Sequence, residues 1–513
     1  MDFPDISRLR RAAKALKKAH ATGDAEAVAR LSAILGDPLP GTIRHADALH
    51  VIAREAGYDT WPRMKDALEA AAMDRAEKAE RLKMALYHGQ KRMVDALLQE
   101  APDLGRDNLG LACALYDLDH VTAALAKDKE AASRIVGVRA PMLHLAFSRY
   151  YRMGGTAEAS IAVAEALIAA GADVDASYPF EPGAEHRLSA LYGAMGHAGN
   201  LPLARWLLEH GADPNDNESL YHATELGTHE GLEMLIAHGA RPEGTNALPR
   251  ALDFNDEGAV RLLLEAGADP NEGVMPHPSG EAPVTIPALH QAARRMASGR
   301  IVQLLLDHGA NPADTYRGHT AYALARVYGN TEVAEVLEQA GAPTDLGPAE
   351  AKLVAIAEGR AAPGDWIDMD TLSEELKKLL TRLVWRPGTL PRMKRLVDMG
   401  FDPNATDEMG LPPLHVAGWE GLPEKMAYFL SLKPDMAHVN GYGGTLFSTI
   451  LHGSENCPHR GERDHIACMK LALEEGAALP KDAIDGAIDD DMAAFLSDWA
   501  AERPGQVVEN GAW

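Results

Sequence analysis

Apolar positions along this chain fall into short helical runs broken by Gly, Asp, Pro and Asn, and one phrase recurs. An apolar helix ends in Leu-Leu or a similar pair, and Gly, Ala and then Asp or a substitute follow. The phrase stands at Leu167, Ile168, Gly171, Ala172, Asp173 and at Leu207, Leu208, Gly211, Ala212, Asp213, Pro214, Asn215. It returns at Gly239 to Arg241, Gly267 to Asn271, Gly309 to Pro312, Gly341 to Pro343, Gly400 to Asn404, and Gly476 with Ala477, eight copies in all. Each Gly is predicted just past a helix end, where a left-handed backbone closes the last turn without a Cβ penalty. The Asp, Pro and Asn that follow start a turn.

A second, shorter helix is predicted upstream of each phrase, announced by Leu143-His144, Leu289-His290 and Leu414-His415. Two short helices and a turn therefore make one unit. The spacing of the glycines varies: 28 residues from Gly211 to Gly239 and from Gly239 to Gly267, 40 from Gly171 to Gly211, and 42 from Gly267 to Gly309. The turn that protrudes as a finger is abridged in the 28-residue units. It is lengthened over Ser177 to Arg187 and over Gly273 to Pro287, and long fingers belong on the face that solenoids use for binding.

The unit resembles the ankyrin repeat, whose first helix opens on Thr-Pro-Leu-His-x-Ala. The best matches are Pro412, Pro413, Leu414, His415, Val416, Ala417 and the run Gly318, His319, Thr320, Ala321, Tyr322, Ala323, Leu324, Ala325. The resemblance implies an all-α fold, an ankyrin-repeat solenoid of stacked helix-turn-helix repeats with an N-terminal helical cap. It also implies that His144, His290 and His415 bond neighbouring backbone and are structural. A helical leader like the one over 1–72 precedes the repeats in many bacterial ankyrin-repeat proteins, so the resemblance extends to it. Its expected role is to cap the first repeat. A first repeat block is expected over 79–345, an irregular joint over 346–372 around Pro363 and Gly364, and a second block with a C-terminal cap over 373–500. The tail over 503–513 reads as disordered.

Composition agrees with many small helices packed closely: 46% of the residues are apolar but only 5% aromatic. Lys and Arg total 50 against 75 Asp and Glu, a net charge of 50 − 75 = −25. Such a surface repels phosphate backbones and anionic lipid, which argues against nucleic acid and membranes as partners. The one basic stretch, Arg8, Arg10, Arg11, Lys14, Lys17 and Lys18, reads as a solvated helix face. No run approaches the roughly 20 apolar residues of a membrane span. Three scattered cysteines, Cys113, Cys457 and Cys468, suit a reducing compartment. The expectation is a cytoplasmic monomer whose partner is another protein.

For chemistry the sequence offers little. No phosphate-cradling glycine loop, His-Glu-x-x-His or nucleophile elbow occurs, and no cofactor is expected. One cluster, Cys457, His459, His465 and Cys468, could supply the two thiolates and two imidazoles of a zinc site. Its Cys-x-His and His-x-x-Cys spacings are not those of a common finger, and a polar loop with a buried helix cysteine explains it as well. The surrounding phrase Gly443, Gly444, Thr445, then His452, Gly453, Ser454, resembles an insertion in the bacterial relatives, which usually lack the cysteines. A metal-dependent protein or enzyme built on the C-terminal block is thus the alternative to a non-catalytic binding scaffold.

Ankyrin arrays bind on their concave side, with fingers and first-helix ends. Aligned on Leu-His, the residues before the inter-helix loop form a row: Ser148 and Arg149, Glu225 and Leu226, Asp253 and Phe254, Arg294 and Arg295, Val327 and Tyr328, Trp419 and Glu420. Aromatic and Arg side chains dominate interface energetics, so Arg149, Phe254, Arg294, Arg295, Tyr328, Trp419 and Glu420 are the candidate partner-binding residues. Phe254, Tyr328 and Trp419 could equally pack on the next repeat.

Overall fold

The computed structural model describes residues 6–39, 42–273, 286–362, 366–487 and 489–509. It divides into two compact units. The first holds Lys65–Ala325 and Asn330–Thr344, and the second holds Asp2–Met64, Arg326–Gly329 and Asp345–Trp513.

Helix pairs fill the first unit. Arg75–His88 pairs with Lys91–Glu100, Leu109–Ala114 with Leu118–Lys127, and Pro141–Ala146 precedes Ala157–Ala169. Ala190–Tyr192 runs on as a wide turn of helix, Gly193–His197, before Leu201–Glu209. Ser219–Ala223 with Glu230–Ala237, Ala247–Asp253 with Glu257–Glu265, and Ala288–Arg295 with Gly299–Asp307 continue the series. First helices pack on first helices and second on second. None is long enough to be stable alone, so their stability comes from this stacking.

The recurring phrase acquires a geometric meaning. Every one of its glycines has positive φ, from 82° at Gly341 to 111° at Gly400. The residue four before the Gly gives its carbonyl to the amide just after it: Ala212 N–H to Leu207, Ala268 N–H to Leu263, and Ala310 N–H to Leu305, at 2.9–3.0 Å. This is a Schellman closure. Leu167, Leu207, Leu235, Leu263, Leu305, Leu337 and Leu396, which share that position, are fully buried. One position thus closes the helix and fills the core.

The other end of the second helix carries a side-chain cap in many repeats, though not at His229 or Thr389. Asp117, Thr156, Asn200, Asp256, Ser298 and Asn330 each accept the backbone N–H three residues on, at 3.0–3.3 Å. Such caps contribute about 1 kcal/mol each.

The fifth residue of the phrase stitches repeats together. Asp175 accepts the amide of Asp213 at 2.8 Å, Asn215 that of Arg241 at 2.9 Å, and Asn271 that of Asn311 at 2.9 Å. Finger length follows the glycine spacing. The 40-residue unit carries the hairpin Ser177–Pro179 with Arg187–Ser189, and another pairs Thr315–Tyr316 with His319–Thr320. The 28-residue units carry no paired strands among the described residues. Most of the Gly273 to Pro287 finger lies outside the described residues.

In the second unit, Pro413–Trp419 packs on Pro423–Ser431, and Leu446–Asn456 on His465–Glu474. The leader departs from expectation. Its helices Ile6–Ala21, Ala25–Leu35 and His45–Glu55 share a core built on Leu16, Leu31 and Leu49. They belong with the C-terminal helix Asp490–Glu502, against which His45–Glu55 packs. Asp498 accepts the amide of Ala46 at 3.0 Å, and Asp489 caps the helix through Met492 N–H. Only the end of the fourth helix, Trp61–Ala72, joins the core of the first repeat, where Ala70 meets Leu82, Leu86 and Leu97. The apolar end of the C-terminal helix offered the leader a surface that reading along the chain does not reveal.

The tail also differs. Val507–Val508 pairs in parallel with Leu479–Pro480, and Gln506 donates to the carbonyls of Leu473 and Ala477, each at 2.7 Å. The expected disorder is therefore absent over residues 503–509; residues 510–513 lie outside the described ones. The boundary between the units falls at Thr344 and Asp345. Pro363 and Gly364, where the joint was centred, also lie outside the described residues.

Candidate protein-interaction surfaces

In the first unit the aligned row becomes a ladder of ion pairs running across three successive first helices. Arg250 reaches back to Glu225 at 2.6 Å, and Arg295 reaches back to Asp253 at 2.7 Å. Gln291 donates to Asp253 at 2.5 Å, and Arg294 donates to Gln291 at 2.6 Å. Phe254 sits at the middle rung, 39% exposed, with the Arg250 guanidinium 4.6 Å from its ring. Phe and Arg are among the residue types enriched at protein interfaces. Phe254, Arg294 and Arg295 are thus brought together.

Arg149 is placed differently. Its Nε donates to the His197 carbonyl at 3.1 Å, and its stem lies where a Cβ on Gly89 would stand, 3.2 Å away. It is wedged between neighbouring helices, and burial, aided by Arg152, lowers its pKa. Close by, Arg139 lies 4.4 to 4.8 Å from the rings of Tyr87, Phe147 and Tyr178. No local sequence signal marked it, because its three partners come from separate repeats.

Tyr328 leaves the row altogether. It is 1% exposed, its hydroxyl accepts from Arg382 at 3.3 Å, and its carbonyl accepts from Arg386 at 3.2 Å and Arg392 at 2.8 Å. Three arginines converge on it, so it is core. The expectation of an exposed contact is corrected.

Trp419 and Glu420 end the helix Pro413–Trp419 in the second unit. The neighbouring first helix, Leu446–Asn456, runs to 11 residues where Pro413–Trp419 has 7. Just before its extra turn, which begins at Gly453, His452 stands beside Trp419 with ring centroids 5.2 Å apart. An open cleft of about 710 Å³ results, lined by Leu411, Trp419, Tyr442, Leu451, His452 and Glu455 among others. Tyr442 and Glu455 have no part in the sequence reading and His452 enters it only as part of the insertion phrase, although His452 and Glu455 share one helix face at i, i+3.

Of the Cys and His residues of the insertion, Cys457 and His465 brace the end of the helix Pro413–Trp419. His465 Nε2 donates to the Trp419 carbonyl at 2.8 Å. The Asp464 amide donates to the Gly421 carbonyl at 3.1 Å. Cys457 is buried with its Sγ 3.9 Å from Glu420, and Arg463 is also 3.9 Å from that carboxylate. Glu420 therefore faces inward; burial, offset in part by Arg463, raises its pKa. Cys468 is in the helix core, and burial pushes its thiol up to about 12. His459 is exposed. The four residues do not converge, and no group of three or more His, Cys, Asp or Glu among the described residues could hold a metal ion.

The carried-over histidines behave as backbone anchors in two cases of three. His144 Nε2 bonds Val136 O at 2.9 Å and His290 Nε2 bonds His319 O at 3.0 Å. His415 instead meets the Thr449 hydroxyl at 3.3 Å.

Residues 191–273 match a model of three ankyrin repeat copies, and residues 287–315 match the single ankyrin repeat. This chain contains ankyrin repeats. The matched segments lie in the first unit and include Phe254, Arg294 and Arg295; the Trp419 cleft lies outside them. The fold is that of an all-α ankyrin solenoid, with only short strand pairs among the described residues. Among solved structures that match is the human ASB11 ankyrin repeat domain, 22% identical, covering 47% of this chain and 99% of that one, with a TM-score of 0.34. No curated protein matches the chain. Among the described residues no helix is long and apolar enough to cross a membrane.

Proposed function

We propose that this chain is a non-catalytic scaffold or regulator, acting as a cytoplasmic monomer, that binds another protein through the first-helix ends of its ankyrin repeats. The observation that carries the reading is the exposed Phe254 under the Arg250 guanidinium, next in the chain to the Asp253 that pairs with Arg295 of the following repeat. The aromatic supplies area, and the charged rungs hold it in place so that little entropy is lost on binding. The net charge of −25 favours a partner with a basic surface over nucleic acid.

The test begins with affinity capture by the full chain from its source cell, followed by identification of the captured protein. Affinity is then measured for Phe254→Ala and Arg295→Ala. A loss of about tenfold or more for Phe254→Ala is expected for a central anchor. Unchanged affinity in both variants would remove this face as the site.

A further inference from the structure

The Trp419 cleft differs from the first-unit face in its chemistry. Its lining combines the Trp419, Tyr442 and His452 rings with the Glu455 carboxylate and the apolar walls of Leu411 and Leu451. Among the described residues that line it there is no lysine or arginine. Tyr442 is 70% exposed, with its hydroxyl on Met409 Sδ. Aromatic faces attract cations through their quadrupole, most strongly when partly desolvated, and arginine stacks on them better than lysine. A carboxylate beside such faces adds directional hydrogen bonds to a guanidinium.

Two features indicate a formed site. The extra helical turn that makes one wall passes so near the Trp419 backbone that only glycine fits at Gly453. Behind the other wall, His465 pins the Trp419 carbonyl. A volume of about 710 Å³ exceeds one side chain, leaving room for flanking peptide against Leu411 and Leu451.

Resting on the interaction reading above, we propose that the Trp419 cleft seats an arginine side chain of the partner protein, its guanidinium against Trp419 and Tyr442 and paired with Glu455. The chain's excess of carboxylates draws such a basic segment in.

The test uses the full chain with 15N-labelled tryptophan, the Trp419 indole signal being assigned by its loss in Trp419→Phe. The probes are acetyl-Gly-Arg-Gly-amide, its citrulline counterpart, which keeps the shape without the charge, and its lysine counterpart. A saturable shift of the Trp419 signal by the arginine peptide is expected, with citrulline about tenfold weaker and lysine between them. Glu455→Gln should bring arginine close to citrulline while leaving citrulline unchanged. Equal binding of citrulline and arginine overturns the proposal, as does the absence of a saturable shift up to about 10 mM peptide. An unmoved arginine affinity in Glu455→Gln overturns it too. Partner affinity read through Phe254→Ala is a separate measurement in the other unit, so the two readings fail independently.

Discussion

A Cβ on Gly453 would stand 2.4 Å from the carbonyl oxygen of Trp419. That oxygen is fixed from its other side by His465, so neither partner can withdraw cheaply. Gly453→Ala is therefore expected to destabilise the C-terminal block by about 1–3 kcal/mol, the cost of overpacking against backbone. Denaturant unfolding followed by Trp fluorescence would show a lowered midpoint. A midpoint equal to wild type would mean that the helix Leu446–Asn456 can shift without loss.

The Asn271 side chain links two repeats through a hydrogen bond to the Asn311 amide, and Asn215 does so through the Arg241 amide and the Gly239 carbonyl. Each also shapes its own turn, through its amide bonded to Asp269 or Asp213 at 2.9 Å. Replacement by Ala keeps the turn amide and removes the stitch together with the longer side-chain bond to Asp269 or Asp213. A loss of about 1 kcal/mol per site is expected, and the double variant should be additive because the sites share no partner. Thermal or urea unfolding of the single and double variants checks this.

Gly267 and Leu263 close the same helix by different means, so their substitutions separate strain from packing. A Cβ at Gly267 meets nothing within 4 Å, but φ is 96°. Gly267→Ala should cost only the conformational term, about 1–2 kcal/mol. Leu263 is fully buried, and Leu263→Ala should cost about 2–5 kcal/mol through lost burial and the cavity left behind. Equal losses in urea unfolding would contradict this division.

The repeat was legible because its physics is local. A Gly after Leu-Leu dictates the positive φ at Gly211 or Gly267 whatever the surroundings. Finger length followed from residue counting for the same reason. Tyr328 was misplaced because its burial depends on Arg382, Arg386 and Arg392, more than 50 positions on, as the separations of 54, 58 and 64 show. The partnership of the leader with Asp490–Glu502 spans nearly the whole chain and has no periodic signature; the Ala46–Asp498 bond crosses 452 positions. In the Cys457 to Cys468 insertion the residue types suggested chemistry, while the contacts of Cys457 with Glu420 and of His465 with Trp419 made those two braces.

Two histidines of the first unit give its stability opposite pH dependences. Burial, assisted by the nearby Arg149 charge, lowers His197 from the usual 6.5 to about 3, and the neutral ring donates to Tyr87 O at 2.9 Å. Between pH 6.5 and 3 the unfolded chain binds the proton that the folded chain refuses, so stability falls as pH drops through this window. Burial also works against a charged His222, but Glu218 at 3.2 Å and Glu225 at 2.7 Å outweigh it and lift its pKa to about 9. Its contribution is fully present below pH 6.5 and is lost as pH rises through 9. Each shift sets a limiting slope of about 1.4 kcal/mol per pH unit inside its window. His197→Gln, which keeps a donor for Tyr87, should flatten the acid limb and leave the alkaline limb alone. His222→Gln should do the reverse. Urea midpoints of the three proteins from pH 4 to 9.5 read both limbs, and parallel profiles for all three would show that neither histidine titrates as its surroundings require.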